Sequence, residues 1–342
     1  MLIIGGGLAG FALHHLGLPA SLLLGPMAVA MCMGIMGTRV RVSPMFFRSG
    51  QGVVGLMVAK SVTLGVLLAL SKDWHLMLLV TALTILLSAG VGLCLALARI
   101  PANAAAWGTA PGAASAMIAM GEEHGADGRL VACMQYMRVV CVVMLGAWIA
   151  HLFAATAHHA TSATLAPPFT WLGFMITLAL ALLGACSGSL IPAGALLTPI
   201  ILGSALQLAG WLDITLNDTL MALAYGAIGS YIGLRFDRAT IMRVAGMIPT
   251  LVIANIALVL LCACLAWPLS YLFGKDFLSV FLATSPGGLD AMAIIAVETG
   301  ADASFVVALQ TMRLIGIVLA GKLFAQLTMT LAARLSSAAR DQ

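Results

Sequence analysis

Charged residues are rare in this sequence. Only 8% of its 342 residues are Asp, Glu, Lys or Arg, whereas 62% are hydrophobic, and the mean hydropathy is +1.10. A soluble domain needs a far more polar surface than this composition can supply. The sequence therefore excludes a cytosolic enzyme and predicts an all-α polytopic membrane protein surrounded by the lipid bilayer.

Motifs of soluble function are also missing. The chain has no Walker loop, no dinucleotide fingerprint and no nucleophile elbow. Its seven cysteines and seven histidines lack the spacing of metal ligands. The net charge of +4 is too small for a nucleic-acid reader. We expect no cofactor, no metal, no nucleic-acid partner and no enzymatic activity.

Apolar runs recur along the whole chain. Most have the length of membrane helices, which need about 20 residues. The predicted spans are Met1–Leu16, Pro19–Met36, Pro44–Ser71, His75–Ala98, Gly128–Phe153, Phe169–Ser187, Pro192–Gly210, Thr219–Leu234, Val244–Trp267 and Ser304–Ala332. The first is short for a complete crossing, at about 24 Å by the helical rise per residue.

Two segments of the chain are copies of one another. An offset of 175 aligns Pro111–Arg138 with Pro286–Arg313, with 12 identities in 28 positions and no gap. Weaker matches continue outside these segments, at Pro19 with Pro192 and at Gly55 with Gly229. We interpret this as an internal duplication. Its predicted parts are repeat 1 at residues 1–154, a linker at 155–168 and repeat 2 at 169–342.

The positive charges predict an orientation, because Lys and Arg favour the cytoplasmic side. They collect in a loop of each half and at the C-terminus, as Arg39, Arg41, Arg48, Arg235, Arg238, Arg243, Arg334 and Arg340. These segments are expected in the cytoplasm, together with both termini, in a bacterial inner membrane. The linker and the stretch around Asp213 have no Lys or Arg and are expected outside.

This orientation conflicts with full crossings by the two Pro-Gly segments. We therefore predict a re-entrant hairpin at about 101–121 and another at about 277–299, each turning at its Pro-Gly pair. The first half then runs from inside to outside and the second half runs back. The fold class is thus two inverted repeats, each of about five transmembrane helices plus one hairpin, as in many secondary transporters. The hairpin tips are expected to meet near the midplane, where irregular backbone needs a cavity or protein cover.

Each copy also places an arginine deep in the membrane. Arg138 and Arg313 lie about 16 Å along the helix that follows each hairpin, with Gln135 and Gln310 one turn earlier. An arginine at that depth costs about 2.5 kcal/mol or more. Two interpretations stay open: the arginines bind an anionic solute, or each is neutralised by a hairpin carboxylate or by carbonyl oxygens at half-helix ends.

The hairpin tips contribute the remaining candidate residues. Backbone and hydroxyl groups there could bind an anion at a half-helix N-terminus, with the hydroxyls of Thr109, Thr284 and Ser285 as caps. The candidate substrate-binding residues at the tips are Thr109, Pro111, Gly112, Ser115, Thr284, Ser285, Pro286 and Gly287. The copies differ at one position, where Ser115 in the first is Asp290 in the second. Asp290 could take up a proton or sodium ion, or form a structural pair.

Other charged residues in the repeats have structural interpretations. Asp127 and Asp302 follow Gly-Ala and are expected to cap the next helix. Glu123 and Glu298 should be solvated or act as caps. Lys60 lies within an apolar run, where it could line a cavity, although extension to the membrane surface is the simpler interpretation.

The duplicated motif resembles the AbrB-type family of bacterial membrane proteins. The matching residues are Ala110-Pro111-Gly112-Ala113, Gly125-Ala126-Asp127 and Gln135-Tyr136-Met137-Arg138, repeated as Ser285-Pro286-Gly287-Gly288, Gly300-Ala301-Asp302 and Gln310-Thr311-Met312-Arg313. Members of that family are labelled as regulators of gene expression or as ammonia monooxygenases. An oxygenase would need a metal site, which the histidine pattern does not provide.

The favoured expectation is a secondary transporter for a small anionic solute, with Arg138 and Arg313 supplying charge and Asp290 coupling to a proton or sodium ion. The alternative is a membrane sensor that influences gene expression indirectly, without transport. A membrane-bound monooxygenase is the least favoured. The sequence leaves the solute open, and also whether the chain forms a homo-oligomer.

Overall fold

The computed structural model describes residues 2–38, 40–64, 68, 71–98, 100–112, 114–154, 170–188 and 193–338. All secondary structure within these ranges is helical, which confirms the all-α prediction. The predicted linker at 155–168 lies outside the described residues, as do Arg39 and Arg340 and the side chains of Ser115 and Arg243.

The helices of the first half follow the predicted runs closely. They are α1 (Leu2–His15), α2 (Ser21–Ile35), α3 (Pro44–Ala59), α4 (Trp74–Leu97), α5 (Ala102–Thr109), α6 (Ala114–Glu123) and α7 (Gly128–Ala154). The largest difference is in the predicted span Pro44–Ser71, because α3 ends at Ala59 and Lys60 is exposed beyond it. The apolar run continues past Lys60, but the helix does not.

The second half repeats the same order. Its helices are α8 (Trp171–Ser187), α9 (Gly194–Leu208), α10 (Asp218–Gly233), α11 (Arg238–Val244), a 3-10 turn (Ala245–Met247), α12 (Ile248–Phe273), α13 (Phe277–Thr284), α14 (Leu289–Thr299) and α15 (Ala303–Ala338). Each Pro-Gly segment is thus two short helices, α5 with α6 and α13 with α14. At 8 to 11 residues, none of these four helices is long enough to cross a bilayer alone.

Length and composition mark this chain as a membrane protein. Three of the described helical stretches are long and apolar enough to span, namely Trp74–Leu97, Gly128–Phe153 and Ala245–Phe273. Shorter apolar helices accompany them in both halves, among them Leu2–His15, Ser21–Ile35, Trp171–Ser187 and Gly194–Leu208.

The chain divides into two compact units, each built from both halves of the sequence. Unit 1 contains Met1–Lys72, Gly146–Arg235 and Leu289–Val307. Unit 2 contains Asp73–Leu145, Phe236–Gly288 and Ala308–Gln342.

Unit 1 is held together by reciprocal contacts between equivalent helices of the two halves. A Cβ on Gly55 of α3 would lie 2.5 Å from the carbonyl oxygen of Leu196 in α9. A Cβ on Gly229 of α10 would lie 2.3 Å from the carbonyl oxygen of Leu23 in α2. Only glycine allows backbones to approach so closely, as in other membrane helix pairs. The alanines before α2 and α9 share a second feature, a left-handed backbone (φ 56° at Ala20 and 57° at Ala193).

Unit 2 packs the first Pro-Gly segment into an apolar core. Trp107 of α5 and Met117 of α6 are fully buried, against residues of α4, α7, α12 and α15 such as Leu95, Met134, Leu251 and Ile317. The start and the end of this segment meet, because the Nδ2 of Asn103 donates a 2.8 Å hydrogen bond to the carbonyl oxygen of Gly125. The segment therefore returns close to where it began.

Candidate functional site

The first candidate site joins α7 to the end of α5. Arg138 donates through Nη1 to the carbonyl oxygens of Thr109 (3.1 Å) and Ala110 (2.9 Å), and through Nη2 to Oε1 of Gln135 (2.7 Å). Gln135 donates through Nε2 to the carbonyl oxygens of Trp107 (2.8 Å) and Ala110 (3.1 Å). We call this arrangement of Gln135, Arg138 and the α5 carbonyls the first clamp.

The local sequence explains why these carbonyls need side-chain donors. The last four carbonyls of any α-helix have no partner within the helix. Pro111 lacks an N–H and cannot continue the hydrogen-bond pattern of α5. The negative end of the helix dipole also favours a cation there. An arginine and a glutamine three residues apart on α7 meet both requirements in a medium without water.

The second clamp repeats this geometry on α15 and the end of α13. Arg313 donates through Nη1 to the carbonyl oxygens of Thr284 (3.5 Å) and Ser285 (2.9 Å), and Gln310 donates through Nε2 to that of Leu282 (2.8 Å). The Nη2 of Arg313 donates to Gly287 O and to Oε1 of Gln310, each at 3.4 Å. The offset of 175 carries the acceptors of the first clamp onto Leu282, Thr284 and Ser285 in turn.

Both guanidinium groups are almost completely buried, at 4% exposed for Arg138 and 5% for Arg313. Their hydrogen-bond partners in the clamps are carbonyl and amide oxygens, so the half-helix ends are what stabilises the charges. The Nε of each arginine is buried without a hydrogen-bond partner. Each clamp thus keeps at least one N–H donor, that of Nε, without a hydrogen-bond partner.

The threonine hydroxyls at the tips bind in the direction opposite to the one expected. Thr109 donates to the carbonyl oxygen of Ala105 (2.8 Å) and Thr284 to that of Val280 (2.9 Å), within the preceding half-helix. The sequence predicted that they would cap the following half-helix. The hydroxyl of a threonine in a helix readily reaches the carbonyl four residues earlier, and this bond takes its proton. Ser285 is buried, and its Oγ has no hydrogen-bond partner.

The other tip residues are largely enclosed. Pro111, Pro286 and Gly287 are buried, and Gly112 is partly buried. A Cβ on Gly112 would lie 2.7 Å from Cγ2 of Ile317, so glycine allows this tip to pack against α15.

Asp290 has a partner that the sequence did not indicate. It lies in the first turn of α14, and its Oδ2 accepts a 2.8 Å hydrogen bond from Nε2 of Gln51 in α3. Both residues belong to unit 1, whereas the clamps belong to unit 2. An amide inside an apolar run such as that of α3 is unusual in a membrane helix and would have been the signal for Gln51.

Three further acidic residues of the repeats bind backbone N–H groups at helix starts. Oδ1 of Asp127 accepts from the N–H of Arg129 (2.9 Å), and Oδ1 of Asp302 accepts from that of Phe305 (3.0 Å). Glu298 accepts from the N–H of Ala20, directly before α2. Carboxylates are stabilised at these positions by the helix dipole.

A small cavity of about 10 Å³ adjoins the first clamp. Its polar lining residues are Thr109, Arg138 and Asn255 of α12. Asn255 was not singled out by the sequence reasoning, although a lone amide in the apolar run of α12 is the same kind of signal as Gln51.

Comparison with known proteins places these features in a family. A family model described as "Transition state regulatory protein AbrB" matches residues 22–329. "Putative regulator AbrB" of Escherichia coli (strain K12) is 36% identical over 333 residues, covering 96% of this chain and 95% of the relative. "Uncharacterized protein YhjN" of Bacillus subtilis (strain 168) is 27% identical over 343 residues, covering 90% and 87%. No solved structure matches.

Proposed function

This chain belongs to the AbrB family, and we propose that it is a secondary transporter of the bacterial inner membrane that moves a small anionic solute past the two clamps. The observation that carries this proposal is the state of the two arginines. The two guanidinium groups are buried and carry like charge, and each retains an unpaired Nε–H. An anion near both would relieve their repulsion and accept the unused donors.

We further propose that the Pro-Gly segments are re-entrant hairpins. For the first, the Asn103–Gly125 hydrogen bond supports a return to the side of entry. The charge of Arg129, just after this segment, also acts on Asp237 in the loop after α10. That loop carries Arg235 and Arg238 and is therefore assigned to the cytoplasm. Arg129 would be on the opposite side if the segment crossed completely.

For the second hairpin, the support comes from Glu298 at the end of α14. It binds the N–H of Ala20, which lies between α1 and α2 and is assigned to the outer side. A complete crossing would bring Glu298 to the cytoplasmic side, away from Ala20. Together with the reciprocal contacts of Gly55 and Gly229, this supports two repeats of opposite orientation.

Asp290 is the proposed coupling residue. Its carboxylate lies at a half-helix start and is bound by one neutral amide, that of Gln51. A carboxylate so placed can exchange a proton or hold a sodium ion. Asp290→Asn should leave the exchange of solute intact and abolish uphill uptake driven by a proton or sodium gradient.

The transport proposal is tested with purified protein in proteoliposomes. Vesicles loaded with a mixture of small organic and inorganic anions are analysed by mass spectrometry for protein-dependent loss of any component. Arg138→Gln and Arg313→Gln retain amide donors for the carbonyls but remove the charge, and each should reduce the flux at least tenfold. Arg334→Gln on the exposed part of α15 is the matched control.

A second candidate function follows from the name of the Escherichia coli relative, which calls it a regulator. A membrane sensor could use the same clamps to detect an anion without moving it. If folded protein releases none of the anions, the transporter proposal fails and the sensor is favoured. If flux occurs and both arginine variants retain it, the clamps are structural and the solute passes elsewhere.

A further inference from the structure

The cavity beside the first clamp contains polar groups that the clamp itself does not use. It measures about 10 Å³ and is lined on one side by Gly108, Thr109 and Arg138, and on the other by Asn255 and Leu258 of α12. All of these residues belong to unit 2. A space of this size accommodates about one water-sized atom.

On the α7 side, the cavity is lined by Arg138, a buried cation whose Nε–H is unpaired. Arg138 is 4% exposed, its Nη1 and Nη2 are bound within the clamp, and its Nε has no partner. A buried charged donor without an acceptor is costly, by more than the 1–3 kcal/mol of a neutral group. The hydroxyl proton of Thr109 is directed to Ala105, which leaves only acceptor capacity on that side chain.

On the α12 side, the cavity is lined by the only Asn or Gln of that helix. Asn255 donates one N–H of Nδ2 to the carbonyl oxygen of Leu251 at 2.8 Å. Its amide has a second N–H, since each primary amide carries two donors. Asn255 is half-buried in an apolar run, where a polar side chain is costly unless it serves packing or binding. The apolar neighbours Leu251, Ala254 and Leu258 offer it no side-chain partner.

Resting on the proposed function, we propose that Asn255 is a further ligand-binding residue of the first clamp. Its second Nδ2–H and the Nε–H of Arg138 together bind one anionic oxygen of the solute. Two donors, one of them charged, select an acceptor, and the volume limits the cavity to a single atom. The ligand class is therefore an oxyanion, such as a carboxylate, that presents one oxygen to this cavity.

The fluorescence of Trp107 provides a local probe for this binding. Trp107 is fully buried and directly precedes Gly108 of the cavity lining, whereas the other five tryptophans, at positions 74, 148, 171, 211 and 267, are 47–80% exposed. Replacing those five by Phe leaves Trp107 as the only tryptophan. Nitrate is the probe ligand, because it is a small planar oxyanion that quenches indole fluorescence. Ionic strength is held constant with sodium chloride, whose anion is not an oxyanion.

The protein with Trp107 as its only tryptophan and Asn255 unchanged should show saturable quenching by nitrate. Asn255→Leu should weaken the apparent nitrate affinity at least tenfold, and Asn255→Asp, which keeps the size but adds a repelling charge, should weaken it at least as much. Ser88→Ala, a buried polar substitution on α4 outside the cavity lining, should leave the affinity unchanged and is the control for general destabilisation.

Equal affinity in wild type and both folded Asn255 variants would overturn the proposal, and so would quenching that never saturates in the wild type. Gel filtration establishes folding for each variant. Neither result depends on transport, so a protein that binds nitrate but moves no solute would reject the proposed function while leaving the Asn255 site in place.

Discussion

The two clamps use the same residues on equivalent carbonyls, but they are not equally tight. In the first, Gln135 binds two carbonyls and Arg138 makes three hydrogen bonds of 3.1 Å or less. In the second, Gln310 binds one carbonyl and only one hydrogen bond of Arg313 is shorter than 3.4 Å. Both clamps nevertheless use an arginine and a glutamine to bind equivalent carbonyls. This shared geometry indicates that holding the half-helix end is a requirement in both repeats.

A second difference lies just after the tips, where the first copy has Ser115 and the second has Asp290. Only the second tip therefore contains its own negative charge, and this charge is bound by Gln51. A duplicated scaffold that carries symmetric cations and one asymmetric anion can separate two tasks. In the proposed transporter, the clamps would supply the positive potential for an anion, and the single carboxylate would be available for an ion or proton.

The largest effect expected from this comparison is on stability. Gln135→Leu leaves the carbonyl of Trp107 and one N–H of Arg138 without partners and removes one of the donors to Ala110, whereas Gln310→Leu leaves one carbonyl and a weaker contact without partners. We expect Gln135→Leu to lower the free energy of unfolding by about 3 kcal/mol, and Gln310→Leu by about half as much. Unfolding by SDS titration in mixed micelles measures both. Equal losses would show that the longer hydrogen bonds of the second clamp do not reduce its contribution to the free energy of unfolding.

The second prediction tests whether the two reciprocal glycine contacts in unit 1 contribute equally to stability. Gly55→Ala and Gly229→Ala would each place a methyl group against a backbone carbonyl of another helix, and should each cost about 2 kcal/mol. Gly7→Ala, on α1, has nothing within 4 Å of the new Cβ and should be neutral or slightly stabilising. Tolerance at one of the two contact positions but not the other would break the equivalence of the repeats.

The sequence predicted the repeated motif, the breaks in the helices at Pro111 and Pro286, and the burial of Arg138 and Arg313, because each leaves a local signal. A Pro-Gly pair favours a turn, and offset identities mark duplication. It could not decide between an anion and carbonyl partners for the arginines, since that depends on the tertiary placement of α5 and α13. Gln51 and Asn255 each leave a signal, an amide in an apolar run, but what they contact depends on tertiary placement too. The ending of α3 at Ala59 is not visible in an apolar run.

A smaller effect concerns the asymmetry at the tips. Asp290→Ser makes the second tip resemble the first, and Gln51→Leu removes the donor that binds Asp290. A double-mutant cycle on these two positions should give a coupling of about 1–2 kcal/mol, because the hydrogen bond is charge-assisted. The readout is the unfolding free energy of the four proteins at pH 7. Additive losses would mean that the 2.8 Å contact contributes nothing specific.

The smallest effect is a pH dependence outside both clamps. Hydrogen bonds from the side chain and backbone N–H of Thr240 hold the pKa of Asp237 below its usual value, and the charge of Arg129 lowers it further. A lowered pKa means that the stabilisation is complete above about pH 4, the ordinary value for Asp, and is lost as the pH falls through the folded value.

Asp237→Ala should therefore cost up to about 0.5–1 kcal/mol at pH 7, the range for losing a helix cap, reduced by solvent screening at this exposed site. The cost should shrink below about pH 4. Asn217→Ala removes a cap that does not titrate, at the start of α10, so its cost should be independent of pH. If the two variants responded alike to pH, the charge of Asp237 would contribute nothing. Its interaction with Arg129 would then no longer support placing the end of the first hairpin and the loop after α10 on the same side of the membrane.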